Sequence, residues 1–155
     1  MKKMEKFLWI MLVMYVVFAN VFGIVKHYQF DRDIDCWIDR AQVAAGRDDM
    51  LKYIQQLKEN LQERGMTKGH TALIFKNPRN DMGLHYEAIN NWIKRLESIK
   101  DVPINENVYQ TTLYDLRGAI RELPNPAAGW VWVHYDWWLL LIGISSFVVC
   151  VSVSF

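Results

Sequence analysis

The sequence predicts an all-α membrane protein, in which two transmembrane helices flank an extramembrane antiparallel bundle of three to four helices. Two apolar runs without a charge lie near the ends of the 155-residue chain, at residues 7–25 and 137–155. Each run is close to the ~20 apolar residues of helix that cross the hydrocarbon core of a bilayer. Between them, apolar residues recur every three or four positions, which is typical of helices with one buried face.

The first apolar run follows a short basic tail, residues 1–6, and is closed by Lys26 and His27. The positive-inside rule places this tail in the cytoplasm and residues 26–129 outside it, as an extracytoplasmic helical domain. A cleaved signal peptide is the alternative, with a cleavage site at Ala19. We favour an uncleaved anchor because the apolar run continues well past Ala19.

The last segment, residues 130–155, predicts an interfacial aromatic belt followed by the second transmembrane helix. Trp and Tyr are enriched where a helix leaves the lipid headgroups. The chain is therefore expected in the cell membrane, passing twice, with Phe155 near the inner face. The aromatic residues of the belt are Trp130, Trp132, Tyr135, Trp137 and Trp138.

The middle of the chain predicts helices over residues 31–64, 81–100 and 105–123. Gly46 interrupts the first, because Gly ends helices and the Asp residues after it cap them. The sequence leaves open whether this segment is one long helix or two shorter ones. The short connection 101–104 makes its neighbouring helices antiparallel. The positions expected to face the core are Ile34, Trp37, Ile38, Ala41, Ala45, Leu51, Ile54, Leu57 and Leu61, then Met82, His85, Tyr86, Ile89, Trp92, Ile93, Leu96 and Ile99, and finally Tyr109, Leu113, Leu116, Ile120 and Leu123.

The charge balance and the missing motifs exclude several classes of function. Residues 31–123 hold 14 basic and 15 acidic residues, so they provide no basic surface for nucleic acid. Nucleophile-elbow and phosphate-loop motifs are absent, which favours a non-catalytic protein over an enzyme and leaves an enzyme as the alternative. Cys36 lies in the polar part and Cys150 in the second apolar run, so we expect no disulfide between them.

Small residues at helical spacing predict packing faces on both transmembrane helices, because they let two helices approach closely. In the first helix these are Ala19 and Gly23, and the amide of Asn20 needs a partner in lipid. The faces serve either packing within the chain or docking against other membrane subunits or copies of the same chain. In the second helix the corresponding residues are Gly143, Ser146, Cys150 and Ser154.

The histidines raise one candidate metal site, at the outer membrane interface. His27, His134 and Asp136 are expected at the same level, where imidazole and carboxylate groups bind zinc or copper. No ligand spacing of a defined site is present, so the alternative is a set of polar residues that pair with headgroups. His85 lies within an apolar stripe and is expected to be a hydrogen-bonded core histidine. No other cofactor is predicted.

The segment 67–81 is too long for a simple connection between helices. It contains a short β-like apolar run at residues 71–75, which we expect to cover the open end of the bundle. Alternatively, Lys76 and Arg79 contact lipid phosphate or a partner.

Three functions fit these features. The first is a non-catalytic integral membrane subunit that docks into a larger complex through its transmembrane helices and presents the bundle outside the cytoplasm. The second is a small homo-oligomeric channel, although the second run offers only serines as polar groups for a pore. The third is a metal-binding protein or enzyme that uses His27, His134 and Asp136.

Overall fold

A computed structural model of the chain describes residues 2–72, 74–123, 129, 130, 133, 134, 141 and 144. These residues form an all-α fold. The predicted second transmembrane helix lies outside the described residues, apart from Leu141 and Ile144.

The first helix forms the longest element. Helix α1, Lys2–Phe30, continues through one π-helical turn, Asp31–Asp35, into helix α2, Cys36–Gln42. The helix continues beyond Lys26 and His27, which close the apolar run, because no Gly or Pro breaks it before Gln42. Among the described residues, this is the one helix that is long and apolar enough to cross a membrane.

Gly46 separates α2 from helix α3, Arg47–Glu63, so the segment 31–64 is divided into two helical parts. Its backbone is extended, and it occupies the N-cap position of α3. At the other end of α3, Gly65 has φ +69° and begins a Schellman turn. In this turn Met66 N–H donates to the Leu61 carbonyl at 2.8 Å and Gly65 N–H donates to Gln62 at 3.0 Å.

Two further helices complete the bundle, α4 at Met82–Ser98 and α5 at Asn107–Arg121. Asp81 caps α4 by accepting a hydrogen bond from Gly83 N–H at 2.8 Å. Helix α3 packs against α2 and α4, and α5 packs mainly against α2. We call the end of the bundle where α1 enters it the proximal end, and the end that contains the turn between α2 and α3 the distal end.

Contacts between helix ends establish the direction in which each helix runs. At the distal end, Arg47 Nε donates to the Leu96 carbonyl near the end of α4 at 2.8 Å, and its N–H donates to the Tyr109 hydroxyl in the first turn of α5 at 3.0 Å. At the proximal end, the side chain of Arg64 after α3 binds Asp33, just beyond α1. Helices α3 and α4 are therefore antiparallel.

The core contains most of the residues that the periodicity predicts. The buried members are Ile34, Ile38, Ala41, Ile54, Leu57, Leu61, Met82, Ile89, Trp92, Leu96, Ile99, Tyr109, Leu113, Leu116 and Ile120. Around the turn the prediction is wrong by one residue, since Ala44 and Met50 are buried whereas Ala45 is exposed and Leu51 is half-buried. The turn at 43–46 changes the helical phase, so one continuous stripe does not run through it.

Candidate functional site

The surface of α1 is the largest unusual feature of the described residues. No residue of its most apolar 18-residue window is buried. A helix that is hydrophobic on every side needs protein or lipid around it. The large apolar side chains exposed on it are Phe7, Trp9, Ile10, Met11, Val13, Met14, Val16, Val17, Phe18, Val21, Ile24, Val25 and Tyr28.

One face of α1 is less exposed than the rest, and it carries the predicted small residues Ala19 and Gly23. Its spacing of three and four residues leads directly into the buried positions Phe30, Ile34 and Ile38. The half-buried residues that form this face are Leu12, Tyr15, Ala19, Phe22, Gly23, Lys26 and Gln29. A single face of the continuous helix therefore runs from the apolar run into the core of the bundle.

Asn20 is exposed, and part of its amide is hydrogen-bonded within the helix. Its Nδ2 donates to the carbonyl of Val16 on the preceding turn at 2.7 Å. One donor of the Asn20 amide is thus satisfied within α1. The predicted packing residues of the second helix, Gly143, Ser146, Cys150 and Ser154, lie outside the described residues.

A cluster of charges fixes the bundle where α1 enters it. The Arg64 guanidinium lies 4.5 Å from the ring centroid of Phe30, which is 1% exposed, and also binds Asp33. Arg32 Nε donates to Asp33 Oδ1 at 2.6 Å. The hydrogen bond from Arg32, together with that from Arg64, lowers the pKa of Asp33. These contacts tie the end of α3 to the first turn beyond α1.

The start of the aromatic segment packs at the same end. Trp130 is 5% exposed, and its indole ring faces Gly69, which has φ +99°. His134 stacks on Trp130 with a centroid separation of 3.7 Å. Gly129 lies so close to Thr71 that a Cβ atom on it would be 2.6 Å from the Thr71 carbonyl oxygen. Gly129, Trp130 and His134 therefore pack against the beginning of the segment 67–81.

The metal site remains a prediction. His27 is exposed in the last turn of α1, His134 is exposed and stacked on Trp130, and Asp136 lies outside the described residues. Within the part of the chain that the structure describes, no three His, Cys, Asp or Glu residues are grouped to hold a metal ion. Burial raises the pKa of the Cys36 thiol, which disfavours the thiolate form that binds metals.

The segment 67–81 differs from its expected structure. Its apolar run forms no strand in the described positions, where the pairing is limited to an isolated bridge between His70 and Asp81. The expected cover over the bundle is wrong for Ile74 and Phe75, which are 81% and 83% exposed. We refer to residues 74–79 as the proximal loop, because they lie between the proximal ends of α3 and α4.

Hydrogen bonds hold the proximal loop in its exposed position. Asn77 and Asn80 form a reciprocal capping box around a short 3₁₀ turn, Pro78–Asn80, and Asn80 Nδ2 also donates to the Phe75 carbonyl at 2.7 Å. His85 Nε2 lies 2.8 Å from the Arg79 carbonyl, which makes it the donor. The hydrogen bond predicted for His85 is confirmed, but its predicted place in the core is wrong, because the side chain is half-buried. The sequence Asn-Pro-Arg-Asn is the signal that indicates this structured loop.

Lys76 and Arg79 are exposed beside the two apolar tip residues. The described residues thus present an apolar helix surface, a fixed junction, and a loop that is both apolar and basic. Comparisons with known protein families, with curated proteins and with solved structures found no match to this chain.

Proposed function

We propose that this chain is a non-catalytic, integral subunit of a larger membrane complex, anchored by α1 and presenting the bundle of α2–α5 outside the cytoplasm. The observation that carries the proposal is the continuity of one helix between two environments. Most of its described apolar side chains are exposed as far as Tyr28, and its inward residues from Phe30 onwards belong to a packed core. Lipid is the surrounding that makes such an exposed surface stable.

The exposure of α1 beyond Ala19 favours an anchor over a cleaved signal peptide. Val21, Ile24 and Tyr28 are 54%, 69% and 65% exposed. Cleavage after Ala19 would leave these side chains in water at the start of the mature protein. An uncleaved helix keeps the residues up to Val25 within the bilayer and places the others at its interface.

A second span at residues 137–155 completes the proposed topology. The contacts of Gly129 and Trp130 with the segment 67–81 support it, because they bring the chain to the proximal end just before the second apolar run. The basic tail, residues 1–6, gives the orientation, with both chain ends on the cytoplasmic side.

The half-buried face of α1 supports docking within the membrane. Ala19 and Gly23 lie on it, and small residues allow the close approach that drives helix association in lipid. The partners proposed for this face and for the second span are other subunits of the complex, packed together with the helices of this chain.

The test is a mild-detergent purification of the tagged full-length chain from its own host, followed by mass determination of every protein recovered with it. The variant A19L/G23L fills the small-residue face, and V17L/V21L places the same two leucine side chains on the opposite side of α1. We expect stoichiometric foreign subunits with the wild type and the control, and their loss with A19L/G23L.

Other outcomes would contradict this proposal. Equal recovery of partners from both double variants would show that the small-residue face does not dock. A single defined homo-oligomer without other proteins would favour the channel instead, and stoichiometric zinc or copper in the same sample would favour the metal site.

A further inference from the structure

The proximal loop lies at the end of the bundle that the proposed anchor enters. The helix before the loop ends beside Phe30, since the Arg64 guanidinium lies 4.5 Å from that ring. Phe30 is only about 7.5 Å along the axis from Val25, the last residue of the apolar run, at a rise of ~1.5 Å per residue. The loop therefore starts within a short distance of the level at which α1 would leave the hydrocarbon.

The composition of the loop matches that boundary. Ile74 and Phe75 expose 81% and 83% of their surfaces, more than any apolar side chain of α1 for which the exposure is described. Lys76 and Arg79 stand beside them, and neither forms an ion pair with a described carboxylate. Apolar residues flanked by unpaired cations are typical of segments that contact the interface of a bilayer.

The loop is also held in shape. Thr71 N–H donates to the Asn80 carbonyl at 2.8 Å, which closes the loop at its base. Asn80 Nδ2 binds the Phe75 carbonyl, and His85 binds that of Arg79. Lys76 N–H donates to the Ile74 carbonyl at 3.1 Å, forming a tight turn at Phe75. The apolar tip is thus presented by a built scaffold, which lowers the entropy lost when it inserts.

We propose that the proximal loop inserts into the outer leaflet of the membrane that α1 spans, with Ile74 and Phe75 reaching the acyl boundary and with Lys76 and Arg79 bound to lipid phosphate. This inference depends on the proposed anchor. It adds a second contact with the membrane, which fixes the tilt of the bundle and so the direction in which its distal end is presented.

Lipid is favoured over a protein partner by the position of the loop. The buried Trp130, part of the predicted interfacial belt, packs on Gly69 just before the loop. Aromatic residues of such belts lie at the level of the headgroups. The loop therefore lies beside the start of the predicted belt, at the level expected for the headgroups.

Spin labels on the full chain in lipid nanodiscs test the depth of the loop. Both cysteines are first replaced in a C36S/C150S background, and single labels are then placed with F75C, V43C or V17C. Val43 is the matched control, because it is 81% exposed but lies at the distal end. The nanodiscs contain phosphatidylcholine and phosphatidylglycerol, and collision rates are measured with oxygen and with a water-soluble nickel chelate.

We expect the label at residue 75 to collide several-fold more with oxygen than with the nickel chelate, as the label at residue 17 does, and the label at residue 43 to show the reverse. A label introduced with I74C should repeat the result at the neighbouring position. The variant K76E/R79E should move the label at residue 75 towards water.

The outcomes separate the two proposals. If the label at residue 17 is in lipid but the label at residue 75 collides with the nickel chelate as often as the label at residue 43, the loop does not insert and only this inference fails. If residue 17 is open to nickel as well, the proposed anchor fails. If residue 75 is open in nanodiscs and becomes protected from both reagents only when partner subunits are added, the loop binds protein, which also overturns the inference.

Discussion

Two parts of one continuous helix, residues 7–28 and 30–42, lie in different surroundings. In the first part, apolar side chains point in every direction, and most of those described are exposed, with one face half-buried. In the second, Ile34, Ile38 and Ala41 occupy one buried face, while the exposed positions, Asp31, Arg32, Asp39 and Arg40, are all charged. The backbone remains helical throughout, through a single π-helical turn. The distribution of apolar residues around the helix, and not the helix itself, therefore determines whether lipid or protein surrounds it.

The largest effect should come from Phe30, the first buried side chain of the second part. Phe30→Ala should lower the free energy of unfolding by about 3–5 kcal/mol, because it leaves a cavity and removes the ring under Arg64. Tyr28→Ala is the control, since Tyr28 is 65% exposed. Thermal unfolding in detergent measures both, and equal losses would show that the boundary does not lie between these residues.

A charge in the first part should prevent its insertion into the membrane. Val17→Arg should disfavour insertion by about 2.5–3.5 kcal/mol, the cost of an arginine near the centre of a spanning helix. Val43→Arg adds the same charge in the exposed distal turn and should have no effect. The fraction of protein that stays in the membrane after alkaline extraction measures the difference, and full retention of the Val17 variant would contradict the proposed span.

The charge cluster at the junction should contribute less. Arg64→Ala should destabilise the bundle by about 1–2 kcal/mol, through loss of a partly buried ion pair and of a cation–π contact. Lys52→Ala removes an exposed cation from the same helix and serves as the control. Denaturant unfolding measures both, and equal stabilities would show that the cluster does not fix the junction.

The same cluster should make stability depend on pH. The pKa of Asp33 is lowered from its ordinary value of 3.8, so its ionised form is stabilised by folding. That stabilisation is fully present above the ordinary value and is lost as the pH falls below it, through the lower pKa of the folded state. Asp33→Asn should remove this part of the acid sensitivity; an unchanged profile below about pH 4 would contradict it.

The smallest effect concerns the end of α3, which meets the junction. Gly65→Ala should cost about 1 kcal/mol, because φ +69° strains any residue with a Cβ. Gly118→Ala in α5 has the same open space around it but an ordinary helical backbone, and should gain about 0.5–1 kcal/mol. Unfolding curves that shift in the same direction for both would contradict the role of the turn at Gly65.

Periodicity predicted the bundle where it ran without interruption. The inward residues of α5, such as Leu113 and Leu116, are buried as expected, because a regular helix keeps its phase from end to end. Ala45 was predicted to be buried, but the buried residue is its neighbour Ala44, because the turn before Gly46 changes the helical phase. The helix also continues past Lys26, since a change from apolar to polar residues does not itself end a helix.

The candidate site was less predictable, because it depends on contacts between distant residues. The hydrogen bonds that hold Ile74 and Phe75 outside the bundle involve Asn80 and Thr71, and apolar content alone suggested burial. The interaction of Arg64 with Phe30 and Asp33 has no local signal, because it joins the end of one helix to the beginning of another. Sequence patterns predict which residues face a core, but not which exposed residues a turn presents.

The central claim is that α1 remains part of the protein as its membrane anchor. The intact mass of the C-terminally tagged chain, extracted from membranes of its own host after an alkaline wash, tests this most directly. If α1 is retained, we expect the full 18.3 kDa of the chain plus the mass of the tag, recovered from the membrane fraction. A mass that corresponds to a chain beginning after Ala19, or full-length protein released into the wash, would contradict the claim.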